Sequence, residues 1–156
     1  MPRRVRYTEL MGHSFGDQQT PLQSAPGPAF QPKSVKVNAT AGTGMDIEWK
    51  DGHQSHYSFQ YLRDACPCAL CDEARSKNGR HPGDPEPKDP MALPMFKPAM
   101  KPTETAGVGR YAIRFTWNDG HEAGIYSWEF LREYCPCAEC RARREADTPT
   151  TTGVVQ

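Results

Sequence analysis

Apolar and polar residues alternate along Ser34-Val35-Lys36-Val37-Asn38 and again along Met45-Asp46-Ile47-Glu48-Trp49, the period of half-buried strands. Gly42 and Gly44 supply a turn between the two runs, which are expected to pair as a hairpin. Lys50-Asp51-Gly52-His53 then carries the Asp-Gly of a tight turn, with a short return strand through His56 and Tyr57. Ser58 is placed to cap a short helix that brings Phe59 and Leu62 onto one face. Pro67 disfavours helical geometry at Cys66, so the helix should stop there, leaving Cys66, Cys68 and Cys71 on a loop just past its end. A second passage follows the same plan. Tyr111 to Trp117 reads as a strand with apolar residues at 111, 113, 115 and 117, and Asp119-Gly120 as its turn. Gly124-Ile125-Tyr126 is the return strand. Ser127 caps a helix whose first turn holds Glu129 and whose apolar stripe is Trp128, Leu131 and Tyr134.

The two passages are copies. Residues 47–71 align with 115–140 if Ile125 is taken as one inserted residue. Identities then fall at Trp49/Trp117, Asp51/Asp119, Gly52/Gly120, His53/His121, Tyr57/Tyr126, Ser58/Ser127, Leu62/Leu131, Arg63/Arg132, Cys66/Cys135, Pro67/Pro136, Cys68/Cys137, Ala69/Ala138 and Cys71/Cys140. Two ββα-like units of one design predict a small pseudo-symmetric α+β domain, short helices packed on an antiparallel sheet. The domain is expected over 33–144, with repeats at 45–71 and 113–140. The stretch 81–102, broken by prolines, crosses between them, and its Met91, Leu93, Met95, Phe96 and Met100 either pack on the surface or await a partner. Residues 1–32, rich in Pro, Gly, Gln and Ser, and 145–156, rich in Thr, read as disordered tails.

Composition narrows the function. In 156 residues, 19 basic side chains balance 19 acidic ones, which argues against nucleic acid and against a charged membrane surface. No apolar run approaches the roughly 18 residues that span a bilayer. The absence of a signal-peptide core predicts a cytoplasmic protein. The alternative is mitochondrial, with Arg3, Arg4 and Arg6 opening a transit peptide. Arg141, Arg143 and Arg144 read as a solvated helix end.

All 6 cysteines of the chain lie in the two repeats. In Cys-Pro-Cys-Ala-x-Cys the proline holds the first two sulfurs apart so that they flank a metal, and the two-residue step to the third is that of a zinc knuckle. Three thiolates leave a tetrahedral Zn²⁺ one ligand short, and histidine is the natural fourth, giving Cys₃His. Disulfides are disfavoured by the strain of a Cys-x-Cys bridge and by the lack of any sign of secretion. An iron–sulfur cluster is the alternative use of such thiolates. His53 and His121 occupy equivalent places, so each repeat closes its own site or the two exchange histidines. His56, His81 and His13 have no counterparts, and His13 and His81 read as solvated loop residues.

With these residues in view, the chain resembles the family of domains similar to the N-terminal domain of gamma-butyrobetaine hydroxylase. The likeness rests on Ile47-Glu48-Trp49 with Asp51-Gly52, on Leu62-Arg63 with Cys66-Pro67-Cys68-Ala69-Leu70-Cys71-Asp72-Glu73, on Val108 to Ile113, and on Asp119-Gly120-His121 with Gly124 to Trp128. It implies zinc held by Cys66, Cys68, Cys71 and His121, the crossed arrangement. By symmetry Cys135, Cys137 and Cys140 would then take His53, a second triplet that the hydroxylase lacks. No His-x-Asp triad for iron is present, so the oxygenase chemistry does not carry over. The expectation is a non-catalytic zinc-binding module that engages a protein partner, an oxygenase or an iron–sulfur assembly factor. The alternative is an accessory protein that binds or assembles iron–sulfur clusters.

Overall fold

The computed structural model describes residues 27–93 and 95–147. After a 3-10 turn at Pro28–Phe30 come β1 (Pro32–Val37), β2 (Met45–Trp49), β3 (Gln54–Tyr57), α1 (Phe59–Asp64) and α2 (Ala69–Lys77). The crossover leads to β4 (Pro102–Val108), β5 (Ala112–Trp117), β6 (Ile125–Ser127), α3 (Trp128–Glu133) and α4 (Ala138–Asp147). The molecule is α+β, and each half is a three-stranded antiparallel sheet followed by two short helices. The strand orders are β1-β2-β3 and β4-β5-β6, so the strand in the middle of each sheet is the one that leads into the Asp-Gly-His turn.

Three differences from the sequence pattern have local causes. The expected sheet is divided in two, and β4 joins the second although Thr103 to Val108 shows no apolar alternation. This strand lies on an edge and is mostly exposed, so there was little burial to pattern it, and its proline stands at the first position, where no ladder donor is required. Second, the thiols do not all lie on a loop. Pro67 does end α1, but Cys68 caps a further helix, its sulfur accepting the Cys71 N–H, and Cys71 lies within the first turn of α2. The second half does the same with Cys137 and Cys140, and α4 carries the arginine run to Asp147, inside the stretch expected to be a tail. Residues 27–32, also within a stretch expected to be a tail, hold the 3-10 turn and the start of β1, while the remaining tail residues, 1–26 and 148–156, and with them His13, lie outside the described residues.

Third, the inserted residue is not Ile125. Tyr57 pairs with Met45, and Tyr126 with Ile113, so counting back from the tyrosines Ser55 corresponds to Gly124. The extra residue is taken up at Glu122–Ala123, where the second return strand has not yet begun. The tyrosines fix this register because both are wholly buried and both hydroxyls cross the domain: Tyr57 donates to the Leu131 carbonyl and Tyr126 to that of Leu62.

The core lies between the halves. Met45, Ile47, Trp49, Tyr57, Phe59 and Leu62 from the first meet Ile113, Phe115, Trp117, Tyr126 and Leu131 from the second. Ser58 and Ser127 cap α1 and α3 as their positions predict, accepting from the N–H of Tyr61 and Phe130. These turns aim Leu62 and Leu131 inward and set the direction of the chain into each cysteine triplet. Met100 packs against the core, while Met91, Leu93, Met95 and Phe96 stand 81–93% exposed.

Candidate metal centres

Each histidine sits at the end of a three-residue turn that the sequence builds with little freedom. In the first, Trp49 N–H donates to the His53 carbonyl, Gly52 adopts φ +88°, and Asp51 Oδ1 accepts the His53 N–H at 3.0 Å. The positive φ is why glycine follows the aspartate. The second turn is the same, with Gly120 at φ +85° and Asp119 Oδ1 at 3.0 Å from the His121 nitrogen. Both imidazoles are thereby aimed across the domain interface at the cysteines of the other half.

Four donor atoms converge at each end of the interface. His121 Nε2 lies 3.1 Å from Cys66 Sγ, 3.6 Å from Cys68 Sγ and 3.8 Å from Cys71 Sγ. His53 Nε2 lies 3.4 Å from Cys135 Sγ and 3.7 Å from Cys137 and Cys140 Sγ. In each set all four donors fall within 4.8 Å of one another. A tetrahedral ion with bonds of about 2.3 Å to sulfur and 2.0–2.1 Å to nitrogen has donor–donor edges of about 3.6 Å, so both sets fit a single ion. All six cysteines are free thiols. Both groups are therefore able to hold a metal ion, and the crossed pairing is the one the fold assembles. His56 faces Asp46 on the surface, and His81 is exposed in a loop.

The surroundings suit metal ligands. Burial, with a nearby arginine (Arg132 for His53, Arg63 for His121), holds both imidazoles below their usual pKa, favouring the neutral form that binds metal. Burial pushes the Cys66 thiol up to about 12 and Cys135 up to about 11. Burial pushes Cys68 and Cys137 upward too, but several hydrogen bonds together, from the N–H groups of Cys71 and Leu70 or of Cys140 and Glu139 and from the neighbouring thiols, hold them below the ordinary value.

A second layer of contacts went unassigned at the sequence level. Arg63 donates to Asp119 Oδ2 at 2.8 Å and to Cys71 Sγ at 3.5 Å. Arg132 mirrors it with Asp51 Oδ2 at 3.0 Å and Cys140 Sγ at 3.5 Å. Each arginine thus ties a sulfur of its own half to the turn that orients the other half's ligand. The signal was available, since all four residues are identities of the repeat. Arg75 and Arg144 form another matched pair, reaching back to the carbonyls of Asp64 and Glu133.

The family model described as "Gamma-butyrobetaine hydroxylase-like, N-terminal" matches residues 36–132. The chain belongs to this family. The match takes in the first ligand set entire and ends before Cys135. Among curated relatives, the hydroxylase-like domain is 29% identical over 96 residues to "Dioxygenase str8" of Strobilurus tenacellus, covering 62% of this chain and 20% of that one. It is 29% identical over 113 residues to gamma-butyrobetaine dioxygenase of Pseudomonas sp. (strain AK-1), covering 71% and 26%. The chain therefore spans about a fifth to a quarter of the length of these relatives. A solved structure of a DUF971-family protein of unknown function from Acidithiobacillus ferrooxidans is 29% identical, with 68% of this chain and 93% of that one covered and a TM-score of 0.46.

Proposed function

We propose that this hydroxylase-like domain is a non-catalytic module that holds two structural zinc ions and engages a protein partner. The observation that carries the reading is the closure of both donor sets by ligands from opposite halves. Four protein donors occupy every position of a tetrahedron, leaving none for water or substrate, which supports a structural rather than a catalytic metal. The short donor spacing favours a single ion, because the protein ligands of an iron–sulfur cluster bind different irons and stand farther apart. His121 and Cys66 are 55 residues apart in sequence, and His53 and Cys135 are 82 apart. If a metal clip acts as a disulfide does, loops of this length constrain the unfolded chain by about 4 kcal/mol each. Structural zinc contributes about 10–16 kcal/mol of apparent binding energy in small finger peptides, more than a small domain's usual net stability.

The partner half of the proposal is supported by Met91, Leu93, Met95 and Phe96, a run of large apolar side chains held in solvent between prolines. Asp89 starts the run with a turn, its side chain accepting the Met91 N–H at 2.8 Å. The dioxygenase names of the relatives support an oxygenase-type partner, with an iron–sulfur assembly factor the alternative. The deciding experiment is metal analysis of protein purified without oxygen. Two zinc ions and a colourless sample support the reading. Iron with sulfide and a brown sample would replace it with cluster handling.

A further inference from the structure

The two centres share their ligands and their Arg–Asp pairs, but the contacts to their sulfurs differ. At the second centre Ser55 Oγ donates to Cys135 Sγ at 3.1 Å and itself accepts from Trp49 Nε1 at 2.8 Å. At the first, Gly124 occupies the place of Ser55, so no serine stands beside Cys66; the neighbouring hydroxyl is that of Tyr126, which donates to the Leu62 carbonyl, and Trp117 Nε1 is buried with no hydrogen-bond partner among the described residues. A side chain has no room there, because a Cβ on Gly124 would lie 2.7 Å from Cys66 Sγ. The third sulfurs differ as well. Arg143, three residues past Cys140 on the same face of α4, places Nη2 3.1 Å from Cys140 Sγ. Three residues past Cys71 stands Ala74, too short to reach the sulfur. Cys140 is 2% exposed, whereas Cys71 is only partly buried and borders a cavity of about 480 Å³ shared with Gln60, Arg63, Asp64 and Ala74. Cys140 also borders a cleft, of about 1120 Å³, but Arg143 lines that cleft and donates to the sulfur.

Hydrogen bonds to a metal-bound thiolate withdraw electron density from sulfur and weaken it as a nucleophile, while cover denies reagents a path to it. Resting on the two-metal reading above, we propose that the centres are chemically unequal: Cys71 is the sulfur through which the first centre reacts with soft electrophiles, and Ser55 and Arg143 make the second a shielded staple. The reaction is addition. The Cys71 thiolate forms a carbon–sulfur bond to an electron-poor alkene, the displaced π pair takes a proton from water at the neighbouring carbon and leaves hydroxide, and the thioether so formed would be a far weaker ligand for a metal than the thiolate it replaces.

The test uses the full chain loaded with two equivalents of zinc, its stoichiometry read by native mass spectrometry, then treated with N-ethylmaleimide and mapped by peptide mass over time. Cys71 should be modified first, and the Cys135–Cys140 triplet about tenfold more slowly, the scale on which outer contacts tune a metal site. Arg143→Ala should speed modification of the second triplet, and Ala74→Arg should slow that of Cys71. Both side chains are exposed on helices, and the wild-type comparison stands without either variant. Equal rates at the two triplets, earlier modification of Cys140, or rates unmoved by both substitutions would overturn the inequality while leaving two metals in place. Fewer than two zinc ions on the wild-type chain would overturn the metal reading and this inference with it.

Discussion

The first half of the domain and the second solve one packing problem with different side chains. Each places a tryptophan at the end of its central strand, wholly or almost wholly buried, with its indole N–H out of reach of water. Trp49 donates to Ser55, whereas the Trp117 N–H has no hydrogen-bond partner among the described residues because Gly124 stands where the serine would be. An unpartnered buried donor costs about 1–3 kcal/mol, so the second half accepts a penalty that the first avoids. The reason is visible one atom away. Each of these positions touches the leading cysteine of the opposite triplet, and the chain beside Cys66 passes so close that only glycine fits. Close packing against the candidate ligand Cys66 outranks the hydrogen bond of a core side chain.

The largest expected effect comes from removing a cysteine that is both a candidate ligand and a helix cap. Cys68→Ala and Cys137→Ala should each empty their own centre, and because the ligands cross, each should abolish most of the cooperative melt. Calorimetry with parallel metal analysis reads both, and a variant that lost its metal yet melted like the wild type would separate metal from fold. A smaller effect should distinguish the halves at the serine–glycine position. Gly124→Ala should cost about 1–3 kcal/mol through overpacking against Cys66, seen in denaturant titration together with weaker metal retention at the first centre. Ser55→Ala should cost about 1–2 kcal/mol by leaving Trp49 unpartnered and removing a donor from Cys135. If the two substitutions proved equally mild, the asymmetry would carry no energetic weight. Smallest of all, Phe96→Asp in the exposed crossover should shift stability by no more than about 0.5 kcal/mol, while weakening association with a partner that docks there, measured by titration calorimetry with that partner.

Much of this was legible in the chain because the repeat prints its constraints twice. The strands around Trp49 and Trp117, the serine caps and the Asp-Gly-His turns follow from periodicity and turn chemistry. The eight candidate ligands follow from thiols and imidazoles recurring at matched positions. Other features had no local signal. Strand β4 is an exposed edge whose pairing, not its composition, makes it a strand. Helices α2 and α4 begin on sulfur caps, which propensity rules do not anticipate. With Ile125 as the inserted residue Ser55 aligns with Ala123, and only the buried tyrosines, bonded across the interface, set its correspondence with Gly124.

The central claim is that the two halves exchange histidines around two metals. Metal counting on single variants addresses it directly. The wild-type chain should carry two ions, while His121→Ala and His53→Ala should carry one each. In the His121→Ala protein the sulfurs open to alkylation should be those of Cys66, Cys68 and Cys71, with the Cys135 triplet spared, and His53→Ala should give the reverse. A His121→Ala protein whose newly exposed thiols were Cys135, Cys137 and Cys140 would contradict the crossing, and a wild-type chain that bound a single ion would contradict the second centre.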